Sequence, residues 1–109
     1  MIDIKILKDE SSYDISIKGH AGYEEIGKDI YCAAASTLFL TLDACICKHP
    51  FVTHYSSEIA PGRSRLSFEY SDKSVNTIIS TIEVGLRSLA MEYPEYYHIV
   101  FLPKKVFGN

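Results

Sequence analysis

Two residues of this chain, His20 and Cys32, have types and a spacing that could do covalent chemistry. His20 lies in Gly19-His20-Ala21-Gly22, and Cys32, twelve positions on, lies in Asp29-Ile30-Tyr31-Cys32-Ala33-Ala34-Ala35-Ser36. A cysteine attacks as its thiolate. The start of a helix favours that form, because its N–H groups point outward without intrahelical partners and its dipole is positive there. With Asp29 as N-cap, Cys32 falls in the first turn, and the same unpaired N–H groups are expected to hold the oxyanion of a tetrahedral intermediate. An imidazole brought to the thiol by loop closure would act as general base or as an ion-pair partner. Ser36, four residues after Cys32, shares its helical face and could hydrogen-bond within the site. Asp29 is either an orienter of the histidine or only a cap. The ordinary alternative is a core cysteine in an alanine-rich helix beside an unremarkable loop histidine. Spacing alone leaves both readings open.

Other motifs are weaker. Gly22-Tyr23-Glu24-Glu25-Ile26-Gly27-Lys28 has the glycine and lysine spacing of a phosphate-binding loop. Asp29, however, stands where a magnesium-binding hydroxyl is needed, and Glu24 and Glu25 would repel phosphate. Cys45, Cys47, His49 and His54 are metal-ligand types, but residues two apart diverge on a helix, so a core cysteine pair near the helix end is expected instead and no metal site. The eight tyrosines are dispersed in sequence and suit strand faces or interfaces better than a base-stacking platform.

The elements that must position His20 and Cys32 follow from periodicity. Ile2, Ile4 and Ile6 alternate with Asp3 and Lys5, and Ile15 and Ile17 with Asp14, Ser16 and Lys18, predicting a hairpin around the polar turn Lys8 to Ser12. Residues 19–29 carry three glycines and no apolar period, which predicts a mobile loop containing Gly22 and Gly27. A helix from Ile30 to about Cys47 follows, read as buried; its uncharged run, Ile30 to Leu42, is too short and polar for a membrane span. Phe51 to Ser57 and Arg63 to Tyr70 read as strands around Pro61-Gly62. Val75, Ile78, Ile82, Leu86, Leu89 and Tyr93 recur at helical spacing up to Pro94. Gly85, on the apolar side of that helix, costs about 1 kcal/mol relative to alanine and is expected to serve tight packing, against the alanine-rich helix. Tyr96 to Leu102 forms the last strand. The order β-β-α-β-β-α-β predicts an α+β, two-layer sandwich, a mixed or antiparallel sheet covered on one face by two helices.

Composition agrees. The 109 residues are 47% hydrophobic and 23% charged, which suits one globular domain spanning 1–109. Eleven basic against fourteen acidic side chains, net −3, argue against direct nucleic-acid binding. An odd count of three cysteines and no leading signal segment fit a reducing cytoplasm.

These residues together resemble the ribosomal-processing cysteine protease family, Prp. The likeness covers nearly the whole chain: the hairpin, Gly19-His20-Ala21-Gly22, Gly27, Asp29 to Ser36, and the Tyr93-Pro94 close of the second helix. The resemblance implies a catalytic dyad of His20 and Cys32, with Asp29 and Ser36 as supporting motif residues and a mobile loop between histidine and cysteine. It implies a cysteine endopeptidase that removes the N-terminal extension of bacterial large-subunit ribosomal protein twenty-seven, cutting after an aromatic pair and before a small residue. It also implies a homodimer; with the cysteine usage and the short polar run, a cytoplasmic enzyme without membrane attachment is expected, and the dyad chemistry calls for no metal or organic cofactor. Tyr31 and Ala35 stand where the family often has valine. Glu24 and Glu25 are expected to receive basic residues that follow the cut. Two other readings compete: a non-catalytic ribosome-associated binding module, and a thiol redox sensor resting on Cys32 alone.

Overall fold

A computed structural model describes residues 1–25 and 28–104. Its elements are β1 (Ile2–Lys8), β2 (Ser12–Gly19), α1 (Ile30–Cys47), β3 (Val52–Glu58), β4 (Arg63–Tyr70), α2 (Ser74–Glu92) and β5 (Tyr97–Pro103). The alternation in β1 has the expected effect: Ile2, Ile4 and Ile6 are buried, while Asp3 and Lys5 are exposed. Tyr13 and Ile15 of β2 and Leu66, Phe68 and Tyr70 of β4 extend the same buried face. Each fully buried large apolar side chain contributes about 1.5–3 kcal/mol, so this face is where the sheet finds most of its stability.

The helices cover that face. α1 contributes Ala35, Phe39, Leu42 and Ile46, and α2 contributes Val75, Ile79, Ile82 and Leu86. A Cβ on Gly85 would lie 3.2 Å from both methyl carbons of Leu38, so the glycine serves close approach to α1, as its place in the sequence suggested. The sheet order is β3-β4-β2-β1-β5, antiparallel throughout except for the parallel pair β1 and β5, which makes the sheet mixed. The crossover through α2 returns the chain in the direction of β1, as parallel pairing requires. β3 lies at one edge, where a register shift between Thr53 and Ser56 and a positive φ of 52° at His54 break its regularity. Such breaks protect an edge from strand addition.

Three expectations are corrected here. α1 is less buried than its composition suggests: Ile30 and Leu40 are 60% and 48% exposed, because only one stripe of the helix faces the sheet and α2. Its full 18 residues are also long and apolar enough to cross a membrane by length and composition, which the shorter uncharged run had hidden; its core stripe nevertheless packs in the helical layer. Cys45 and Cys47 are both exposed rather than core.

Candidate active site

The site forms where β2 ends and α1 begins. The last residue of β2, Gly19, has φ +95°, and a Cβ there would lie 2.3 Å from the Met1 carbonyl oxygen. Only glycine lets the chain pass β1 at that point and turn towards the helix. His20 follows immediately, with its side chain exposed, and Ala21 is buried. The Ala21 N–H donates to Cys32 Sγ at 3.3 Å, joining the strand end to the first turn of α1.

Asp29 holds this junction together. One carboxylate oxygen accepts from the N–H groups of Tyr31 (2.9 Å) and Cys32 (3.2 Å), capping α1. The other accepts from Tyr23 (2.9 Å) and Glu24 (3.2 Å), folding the loop back onto the helix start. Burial pushes the Asp29 carboxyl up, but the four N–H bonds outweigh it and hold the group below the usual carboxylate range. Among the described residues its side chain bonds backbone N–H groups and not His20, so it is a double cap. Its backbone oxygen also accepts from Ala33 N–H at 3.0 Å. The N–H groups of Tyr31, Cys32 and Ala33 are therefore taken, and the expectation that they stand free for an oxyanion is not met. The Ala21 N–H, aimed at the sulfur, is the donor placed beside the reacting atom.

His20, Asp29, Cys32 and Ser36 line one cleft of about 270 Å³. Ile2, Ile17 and Gly19 line it from the strand ends, and residues 60–64 from the turn between β3 and β4. Cys32 is half-buried and Ser36, one helical turn further, is exposed. Among the described residues no hydrogen bond joins His20 to Cys32. Gly22 has φ +76° with open space around it; Gly27 lies outside the described residues. Glu25 pairs with Lys28 at 3.2 Å, leaving Glu24 the freer of the two loop acids.

The tyrosines are less dispersed than their numbering suggests. Tyr31 stacks on Tyr96 with centroids 4.1 Å apart, and Tyr23 and Tyr93 meet it edge-on at 4.9 and 5.0 Å. Each such pair contributes about 0.5–1.5 kcal/mol beyond burial, so the cluster pins the loop through Tyr23. Tyr97 donates to the Tyr31 carbonyl at 2.7 Å, and burial together with the nearby Asp29 charge pushes its phenol up to about 12, which keeps the donor protonated. Sequence reasoning missed this cluster and the wall at residues 60–64; the Pro61-Gly62 pair signalled a turn but not what the turn faces. Among the described residues, no group of three His, Cys, Asp or Glu side chains is arranged to hold a metal ion.

The family model for cysteine protease Prp matches residues 1–98. The essential ribosomal processing protease Prp of S. aureus, solved with a covalently linked product peptide, is 26% identical with a TM-score of 0.69; the match covers 93% of this chain and 99% of that one. The same S. aureus protease in complex with a substrate peptide gives 24% identity and a TM-score of 0.70 over 93% and 99% of the two chains. SMU.848 from Streptococcus mutans shares the fold at 24% identity and a TM-score of 0.70, over 95% and 96%. No curated protein matches the chain.

Proposed function

The chain belongs to the cysteine protease Prp family, and from that premise we propose that its 109 residues act as one domain that removes the N-terminal extension of bacterial large-subunit ribosomal protein twenty-seven, with Cys32 and His20 as the catalytic dyad. The observation that carries the reading is the cleft shared by both residues, in which the cysteine sulfur receives the Ala21 N–H. The related S. aureus protease, whose structures hold a substrate peptide and a covalently linked product peptide, supports a peptide substrate from a ribosomal protein.

The chemistry is acyl transfer. Cys32 Sγ attacks the scissile carbonyl carbon as His20 takes the thiol proton, and the Ala21 N–H, which donates to the sulfur in the free protein, is the nearby donor that would turn to the oxygen that gains charge. Collapse of the tetrahedral intermediate breaks the C–N bond, with His20 returning the proton to the leaving amine. Water, deprotonated by His20, then hydrolyses the thioester and restores the thiol. Asp29 and Ser36 support this site by holding the loop and lining the cleft. His20 and Cys32 already line one cleft, so the first step needs only that the seated imidazole and the thiol tighten into a hydrogen bond, a contact that is often loose in the apo form of such sites.

The reading includes a cytoplasmic homodimer. Three free cysteines fit the compartment, and half-exposed Leu40 and Ile59 offer apolar surface for a second copy. Leu40→Glu is expected to lower the mass measured by sedimentation; an unchanged monomer would remove the dimer from the reading. The main test incubates the protein, Cys32→Ala and His20→Ala with a peptide spanning the ribosomal extension, and reads products by mass. Cleavage by the native chain alone is expected. Cleavage by Cys32→Ala would overturn the assignment, and binding without cleavage by any form would point to a binding module.

A further inference from the structure

We infer that Gly62, in the turn between β3 and β4, is a positioning residue for the His20 imidazole, and that its missing side chain is the seat in which the ring lies. The inference rests on the His20–Cys32 reading and extends it to a residue 42 positions from the histidine in sequence. A Cβ on Gly62 would stand 2.6 Å from His20 Nε2, 3.0 Å from Cε1 and 3.5 Å from Cδ2. The tip of the ring therefore occupies the space that any other residue type at position 62 would fill. A second, separate contact fixes the turn against the strand that carries the histidine: the Gly19 N–H donates to the Gly62 carbonyl at 2.9 Å. The turn is thus tied to the residue immediately before His20 while its Cα face meets the ring.

The clash is with the exposed far end of one side chain. A ring so placed can swing away, so an added Cβ displaces the imidazole with little effect on packing elsewhere. Gly62 also has φ +73°, which adds backbone strain for most residue types. Asparagine tolerates that region and carries the same Cβ, so it separates the two effects.

The test compares Gly62→Ala and Gly62→Asn with the native chain and His20→Ala. It uses steady-state cleavage of the extension peptide and the pH profile of Cys32 alkylation by iodoacetamide, resolved from Cys45 and Cys47 by peptide mass. Both Gly62 variants are expected to lose tenfold or more in kcat with KM changed less than threefold, and their Cys32 alkylation profile is expected to move to that of His20→Ala. In the His20→Ala background, Gly62→Asn is expected to leave the profile unchanged. Native kcat and profile in Gly62→Asn, beside altered values in His20→Ala, would overturn the role of Gly62 while leaving the dyad standing. Native cleavage by His20→Ala would instead sink the dyad. Loss of folding by both Gly62 variants with and without His20 would make the glycine purely structural and also overturn the inference.

Discussion

The two ends of α1 each bring a cysteine and a histidine into one neighbourhood. At the C-terminal end Cys47 and His49 are two residues apart in sequence, far closer than His20 and Cys32. Cys47 is exposed there and donates to the Ala44 carbonyl, while His49 accepts the Phe51 N–H through Nδ1 in a local turn. At the N-terminal end the sulfur receives a backbone N–H and shares a cleft with a histidine delivered from another element. The helix presents N–H groups at one end and carbonyls at the other, so identical side chains meet opposite local fields. Site chemistry here follows from which helix end a cysteine occupies and from what the sheet brings to it, more than from nearness in sequence.

The largest expected effect breaks that comparison directly. Cys32→Ala should lower kcat/KM for the extension peptide on the order of 10⁴-fold or more, as loss of a nucleophile does. Next, His20→Ala should cost about 10²–10⁴-fold, the range of general acid–base catalysis, whereas His49→Ala should leave turnover near native. Asp29→Asn comes third: it weakens both the helix cap and the loop attachment, and a fall in Tm of about 5 °C with reduced turnover is expected by thermal melting and kinetics. The same carboxylate predicts an acid limit. Its folded-state pKa is depressed, so the folded form binds fewer protons, and the stability it contributes is complete above the usual aspartate range and lost as pH falls through the lower folded value. Asp29→Asn should accordingly flatten the native melting profile below about pH 4. The smallest effect closes the comparison from the other side: Cys45→Ser with Cys47→Ser should change kcat/KM by less than about twofold, since exposed surface substitutions cost little.

Much of this was legible in the chain because it depends on local rules. Alternating isoleucines placed β1 and β2, and the three-and-four spacing from Val75 placed α2. Asp29 before an alanine-rich run located the helix start, and with it the position of Cys32. What could not be read depends on contacts between distant segments. The loop-facing carboxylate oxygen of Asp29 reaches backward to Tyr23 and Glu24, across a stretch with no periodic pattern. Gly62 meets His20 only because β4 pairs with β2 in the register Lys18 to Arg63. The tyrosines converge because β5 returns beside β1. The exposure of Leu40 was hidden for another reason: an almost continuous apolar run does not say which of its faces the rest of the fold will cover.

The parallel pairing of β1 with β5 also orders events in time. Ile2 pairs with Tyr97, so the sheet closes through contacts nearly the full length of the described chain apart. Such long-range closure is slow relative to local helix and hairpin formation. Tyr96 and Tyr97, which brace Tyr31 at the start of α1, are made after every other site element. A chain still emerging from the ribosome therefore holds His20, Cys32 and Asp29 long before it holds the support that fixes them. Proteolytic competence should arrive with the last strand.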